Sequence, residues 1–349
     1  MKTLLAFLIS FVATYFSMPI FRAIAVRFDI LDIPGGRKIH KIATPLLGGV
    51  AVYFGLIIGV FFNLTKLHFF MPLLIGATLI LILGLINDIK PLSARFRFLC
   101  QVIISLFVIK MGLQINFLPY SLGVWKYILE VVITIIWLVG VTNAYNYLDG
   151  LDGLAAGSAA INLICFGVIL YKSSQYPLGL LAVILIATCF AFLPYNFHKG
   201  KYKIFLGEAG STMLGFILAG FALSGFWAEH NIARITIPVL ILGVPIFDMV
   251  FTTVMRIKEG KVKSVYEWLH YSGKDHFHHI LVDLGFTQRE TTLFIYVITF
   301  SLGLSAIMVS NDSSLDALMS LTQAAVIFTV VANLIIVGKK RRSGWNIKE

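Results

Sequence analysis

Apolar residues run through this chain in long unbroken blocks. They lie near 3–21, 46–63, 69–86, 98–116, 126–142, 154–171, 177–196, 210–228, 234–254, 291–309 and 317–337. Most approach the roughly 20 residues that a helix needs to cross the hydrocarbon core of a bilayer. Lipid offers the backbone no hydrogen-bonding partner, so a crossing segment must be a helix or a strand of a closed barrel. The blocks are longer than barrel strands and lack their alternation of apolar and polar positions. The pattern predicts an all-α polytopic membrane protein with about 11 transmembrane helices in a single domain over 1–349. A polar loop at about 255–290 and a basic tail at 338–349 lie between or after the blocks. The first block follows Lys2 and is too long for a cleaved leader, so it is expected to be a span.

The polar positions orient the bundle. With the N-terminus outside and the C-terminus inside, 22 of the 28 Lys and Arg residues fall on cytoplasmic loops and the tail. That matches the excess of cations on the cytoplasmic side of membrane proteins. Composition agrees: 58% of residues are apolar and 13% charged, against about 25% charged in soluble domains. A soluble enzyme, a disordered chain and a disulfide scaffold are all excluded. The three cysteines, Cys100, Cys165 and Cys189, sit inside apolar blocks without metal-binding spacing. The net charge of +11 suits anionic lipid headgroups, with or without an anionic substrate drawn to the inner face. No basic soluble domain exists to bind nucleic acid.

Five polar clusters fall on loops that this orientation makes cytoplasmic. Asp32 is followed by a Pro34-Gly35-Gly36 turn and then by Arg37, Lys38, His40 and Lys41. This group suits a phosphate, or is an ordinary basic loop. Asn87 and Asp88 close the third block ahead of Lys90, Arg95, Arg97 and Gln101; Asp88 is a metal ligand or an ion-pair partner. The third cluster, Asn143-x-x-Asn146-x-x-Asp149-Gly150-x-Asp152-Gly153, is the most informative. Steps of three turn a helix by about 300°, so Asn146, Asp149 and Asp152 share one face. Carboxylates at a membrane boundary are unfavourable unless paired or metal-bound, and hard oxygen ligands suit Mg²⁺. Fourth comes Phe205-Leu-Gly207-Glu208-Ala-Gly210-Ser211, where Glu208 is either a helix cap or a metal ligand; Asn196, upstream, is a candidate amide for base recognition. The fifth holds His276, His278 and His279. These histidines bind Zn²⁺, donate to phosphate or move protons near neutral pH. Asp248, inside the ninth block, is a functional candidate or a helix-to-helix hydrogen-bonding group.

In this order, the clusters resemble those of the polyprenyl-phosphate N-acetylhexosamine-1-phosphate transferases, relatives of phospho-N-acetylmuramoyl-pentapeptide transferase. The resemblance runs from about residue 30 to 290 and is most specific at Asn143–Gly153. It implies transfer of a sugar 1-phosphate, with N-acetylglucosamine the expected sugar, from a UDP-sugar to an isoprenoid phosphate with release of UMP. It also implies an inner (plasma) membrane enzyme, with its site on the cytoplasmic face, that starts cell-surface polysaccharide assembly. Asp149 is then a base or nucleophile at the reacting phosphate, with Asp152 on the nucleotide side. The expected catalytic group is Asp149, Asp152, Asp88, His276 and His279. Arg37, Lys38, His40, Asn87, Asn143, Asn146, Asn196, Phe205 and His278 are expected to bind substrate. Glu208, Asp149 and Asp88 are expected to hold Mg²⁺, with Mn²⁺ as the alternative ion. Substrates and bilayer are the expected partners, and a homodimer is left open.

Two positions depart from the family pattern. Asn87 stands where the first Asp of a pair is expected, and Glu208 where an Asp is expected. They motivate a rival reading, a non-catalytic relative. A membrane transporter is the rival from another class, although no internal repeat is visible and the carboxylates crowd one membrane face.

Overall fold

The computed structural model describes residues 2–33, 43–227, 231–271, 273, 275–310 and 314–345. Helix α1 (Lys2–Arg27) leads through β1 (Leu31–Asp32) and β2 (Thr44–Pro45) to α2 (Gly48–Phe61) and the single turn α3 (Leu64–Leu67). Then come α4 (Met71–Ile89), α5 (Ala94–Lys110), α6 (Val124–Leu148), α7 (Leu154–Lys172), α8 (Tyr176–Asn196) and α9 (Gly207–Ser224). The chain ends with α10 (Asn231–Ile241), α11 (Gly243–Lys258), the short α12 (Val265–His270) and α13 (Phe277–Asp283), α14 (Gln288–Val309) and α15 (Ser314–Trp345). One departure from an all-α chain is the two-residue antiparallel pair β1–β2, in which Leu31 faces Pro45 and Asp32 faces Thr44.

Every apolar block falls on a helix or, for 234–254, on the pair α10 and α11. Among the described residues, seven helices are long and apolar enough to cross a membrane, or eight if the bent pair is one crossing. The remaining three blocks became shorter or more polar helices. α2 has 14 residues, about 21 Å of rise. α5 opens on two arginines, and α9 opens on Gly207-Glu208. The ninth block was expected to be one helix and is broken, with a bend of 78° between its halves. Pro245 supplies the cause: it lacks an N–H, and its ring crowds the carbonyl four residues earlier, at Ile241, where α10 stops.

α9 is the axle of the bundle. Apart from Glu208, it is buried from Gly207 to Phe221, with α4, α6, α2 and α7 around it. Its small residues let backbones meet. A Cβ on Gly49 would lie 2.2 Å from Cα of Gly210, and one on Gly210 would lie 2.5 Å from Cα of Gly49. Close backbone approach through small residues is the usual means of packing helices in lipid, where apolar surface gains little by association. The backbone N–H groups of Gly48 and Gly49 also donate to the carbonyls of Phe205 and Leu206, and that of Phe205 to Pro45. The start of α2 and the start of α9 are thereby fixed to each other.

Gly49→Val is expected to destabilise the detergent-solubilised protein by about 3 kcal/mol or more, because neither backbone can retreat. Gly140→Ala, whose new methyl meets only the Met249 side chain at 3.6 Å, should leave thermal unfolding unchanged or slightly raised.

Candidate active site

The C-terminal ends of α4, α6, α8 and α11 meet the N-terminal ends of α5, α7, α9, α13 and α14 at one end of the bundle. The second to fifth polar clusters, in their described residues, are collected there. Asp88, in the last turn of α4, receives the backbone N–H groups of Glu208 and Ala209 on its two oxygens at 2.9 and 3.0 Å. It caps α9, whose first amides have no partner within the helix. The bond is permitted by Gly207, with φ +75°: a side chain there would strike Asp88 Oδ2 at 2.6 Å. Asn87 accepts the Leu92 N–H at 2.8 Å and donates to Glu208 Oε2 at 2.9 Å. Arg97, one turn into α5, forms an ion pair with the other Glu208 oxygen. The two departures from the family pattern, Asn87 and Glu208, are therefore in contact with each other.

The third cluster breaks the expected helix. α6 ends at Leu148, and Asp149–Gly153 forms the turn into α7, with Gly153 at φ +76°. Asp152 pairs with Lys203 at 2.5 Å, whose ammonium also lies 5.2 Å from the centre of the Phe205 ring. Asn146 accepts from the Ser211 hydroxyl at 3.0 Å. Asn143 donates to Gln101 and to the Val139 carbonyl. Asn196 is buried; it accepts the Gly153 N–H at 2.5 Å and donates to the Ile204 carbonyl at 3.0 Å. These two amides, Asn143 and Asn196, hold the turn and its neighbours in place. Asp149 differs. It is half-buried, and among the described residues its carboxylate has no hydrogen bond or ion pair. Burial, followed by the charges of Asp88, Asp152 and Asp32, pushes its pKa up from 3.8 to about 7.

The histidines also divide. His276 is buried and has partners on both ring nitrogens: Asp248 lies 3.0 Å from Nδ1 and Arg256 3.3 Å from Nε2. Its ring stacks on Tyr147 at 4.5 Å. Arg256 grips Asp275 through two bonds of 2.7 and 2.8 Å; although burial acts to raise the Asp275 pKa, this contact holds it below the usual carboxylate value. His278 is fully buried, and among the described residues neither ring nitrogen has a hydrogen-bond partner. Its Nε2 would lie 2.1 Å from a Cβ on Gly150, so it points at the backbone beside Asp149. Burial and then the charge of His279 drive its pKa down to about 3, which leaves the ring neutral at pH 7. His279 is half-buried, its ring 4.1 Å from that of His278.

Residues 70–226, which carry Asn87 through Glu208, match the family model for glycosyl transferase family 4. A protein of Bacillus subtilis named as a probable undecaprenyl-phosphate N-acetylglucosaminyl 1-phosphate transferase is 34% identical over 321 residues, which cover 89% of this chain and 86% of the relative. The chain belongs to glycosyl transferase family 4. A decaprenyl-phosphate N-acetylglucosaminephosphotransferase of Mycobacterium leprae is 30% identical, over 95% of this chain and 89% of its own length. An undecaprenyl-phosphate alpha-N-acetylglucosaminyl 1-phosphate transferase of Yersinia pestis is 28% identical, over 78% of this chain and 75% of its own length.

Within this family 4 chain, Arg37, Lys38 and His40 lie outside the described residues. Among the described residues, no three His, Cys, Asp or Glu side chains converge as a ligand set. Asp88, Asp149 and Glu208 are neighbours rather than a ready-made metal cage, because Asp88 caps a helix and Glu208 is taken up by Arg97 and Asn87. Sequence reasoning left Arg97, Lys203, Arg256, Asp275 and Tyr147 out of the site. Lys203 carried one usable signal, a cation at a membrane boundary shortly before a singled-out acid, Glu208; Arg97 carried only its place at the same boundary as Asp88. Tyr147 carried none.

Asp149 binds its proton more tightly when folded than when unfolded, so its contribution to stability is present below about pH 4 and lost as pH rises through about 7. In EDTA, Asp149→Asn should raise stability above pH 7 by roughly 1–3 kcal/mol. The gain should vanish toward pH 4, as read from thermal unfolding across that range.

Proposed function

We propose that this protein transfers N-acetylglucosamine 1-phosphate from UDP-N-acetylglucosamine to a polyprenyl phosphate, releasing UMP, as the first step of cell-surface polysaccharide assembly. The observation that carries this reading is the Asp149 carboxylate, without a partner among the described residues and held on a glycine-flanked turn where helix ends meet. It is crowded by Asp88 and Asp152, Asp152 itself pairs with Lys203, and His278 abuts the neighbouring Gly150. The relatives' names supply the polyprenyl phosphate acceptor and the N-acetylglucosaminyl 1-phosphate group; the UDP carrier is the donor that the family resemblance implies.

The residues fit the proposed chemistry. Asp149, whose proton affinity burial and neighbouring acids raise in the metal-free protein, is placed to act as a base or nucleophile. Lys203 and Arg97 supply fixed positive charge at a position where two phosphorylated substrates meet. Each is tethered by its own acid, so it reaches a phosphate without reorganising. His278, neutral and buried, has a donor or acceptor available for one oxygen. The crowding of Asp149 by Asp88 and Asp152 favours a cation, and the hard oxygen donors suit Mg²⁺ or, in its place, Mn²⁺. Asp149 is the side chain we assign to hold it, with substrate phosphates completing its shell. When bound, such an ion would offset the repulsion between donor and acceptor phosphates.

Location follows the same logic. One substrate is a lipid and the other is water-soluble, so the site must open at a membrane surface. We place it on the cytoplasmic face of the inner (plasma) membrane, with eleven crossings, the N-terminus outside and the C-terminus inside. The distribution of Lys and Arg supports this orientation. The broken helix α10–α11 is the one feature shared with transporters, which place such breaks at the bilayer midplane around a substrate. Here its second half carries Asp248 and Arg256 to the cluster at the bundle end.

Purified protein in detergent, given undecaprenyl phosphate, Mg²⁺ and a panel of UDP-sugars, should release UMP with UDP-N-acetylglucosamine and stop in EDTA. Asp149→Asn should lower turnover at least about 100-fold with folding intact. Absence of UMP with every donor would favour the transporter or the non-catalytic reading. Single cysteines at Lys66 and Lys201 should react with an impermeant maleimide from opposite sides of oriented membranes, Lys66 from outside.

A further inference from the structure

We propose that Asp248 and Arg256 are positioning residues that lock His276 into a strut between α11, α13 and α6. On this assignment His276 takes no part in proton transfer. The inference rests on the transferase reading for its kinetic test and on geometry for everything else.

Hydrogen-bond chemistry fixes the ring. A guanidinium only donates. Arg256 Nη2 lies 3.3 Å from His276 Nε2, so that nitrogen accepts. Nδ1 then carries the proton and gives it to Asp248 Oδ2 at 3.0 Å. The other Asp248 oxygen accepts the backbone N–H of Phe277 at 2.7 Å and the Thr252 hydroxyl at 3.2 Å. Arg256 is in turn held by both Asp275 oxygens and lies over the Tyr271 ring at 4.7 Å. The groups facing His276 are therefore Asp248 and Arg256 from α11, Asp275 and Tyr271 from the approach to α13, His278 from α13, and Tyr147 from α6. No ring nitrogen remains for a phosphate. By contrast, among the described residues neither His278 nitrogen has a hydrogen-bond partner, and Nε2 abuts the backbone at Gly150.

What the strut positions follows from the stack. Tyr147 lies two residues before Asp149, in the last turn of α6. Its ring rests on His276 at 4.5 Å, with 25° between the planes. Asp248 sets the His276 plane, His276 sets Tyr147, and Tyr147 sets the exit of α6 toward Asp149. A misplacement of about 1 Å at a reacting group lowers turnover about 100-fold, so loss of a distant anchor is enough to disable the site.

Side-chain mimicry tests the assignment. Asn reproduces the Nδ1–H of histidine and keeps the bond to Asp248; Gln reproduces the Nε2 position and loses it. His276→Asn keeps the bond to Asp248 but gives up the ring that rests on Tyr147, so it should lose several-fold less turnover than His276→Ala, with the shape of its pH profile unchanged. His276→Gln and His276→Ala should fall about 100-fold. Equal loss in all three folded variants, or a pH limb that disappears in His276→Asn, overturns the proposal. A second readout needs no activity. Hydrogen exchange at residues 145–149 and 276–281 should quicken in Asp248→Ala and much less in Asp248→Asn, which keeps an acceptor for Phe277. Unchanged exchange in Asp248→Ala also overturns the strut. If the parent protein releases no UMP, the transferase reading fails, and exchange alone decides this inference.

Discussion

The first turn of α9 has amide donors that no helix can satisfy internally and that lipid cannot satisfy at all. Asp88 takes two of them. Around that cap the other site elements fall into register. The carbonyls just before α9 receive the amides that start α2, and Glu208, in the same turn, receives Asn87 and Arg97 from α4 and α5. Asp88, expected from the sequence to be a metal ligand or an ion-pair partner, is thus first a structural device. It draws three helix ends together, and the chemistry is built on the space left between them.

That space is defined by charge pairing. Asp152 has Lys203, Glu208 has Arg97, and Asp275 has Arg256. Among the described residues Asp149 has no such partner, and its proton affinity rises because it is buried and then because its neighbours are acids. The site thereby separates carboxylates that hold cations in place from the one that remains available. Asn87 and Glu208 change the local pattern in a matched way, since the longer Glu arm reaches the Asn amide. A second carboxylate at position 87 would place like charges face to face.

Much of this was legible in the chain. The apolar blocks located every long helix, and the polar clusters at their boundaries named the region that gathers at one bundle end. Asp149 stood out because amides, acids and glycines recur around it at helical spacing. Other features were hidden because they depend on partners far away in sequence. Nothing near Asn196 reveals that its amide holds Gly153, 43 residues earlier. A cluster of three histidines does not disclose which ring is saturated, because the answer lies on α11 and α6. The break at Ile241 was readable in hindsight from Pro245, but apolar content alone gave a continuous span.

That break has a consequence for how the protein is made. α10 has 11 residues, about 16 Å of helix, roughly half the thickness of a bilayer core. α11 begins after a bend of 78° and carries Asp248 and Arg256. Neither half is a segment that insertion machinery would release into lipid by itself, given the unfavourable free energy of each buried charge. Biosynthesis must therefore keep this stretch sheltered until α6 and the residues around Asp275 and His276 are present to receive it. Membrane integration and assembly of the polar network become a single late event.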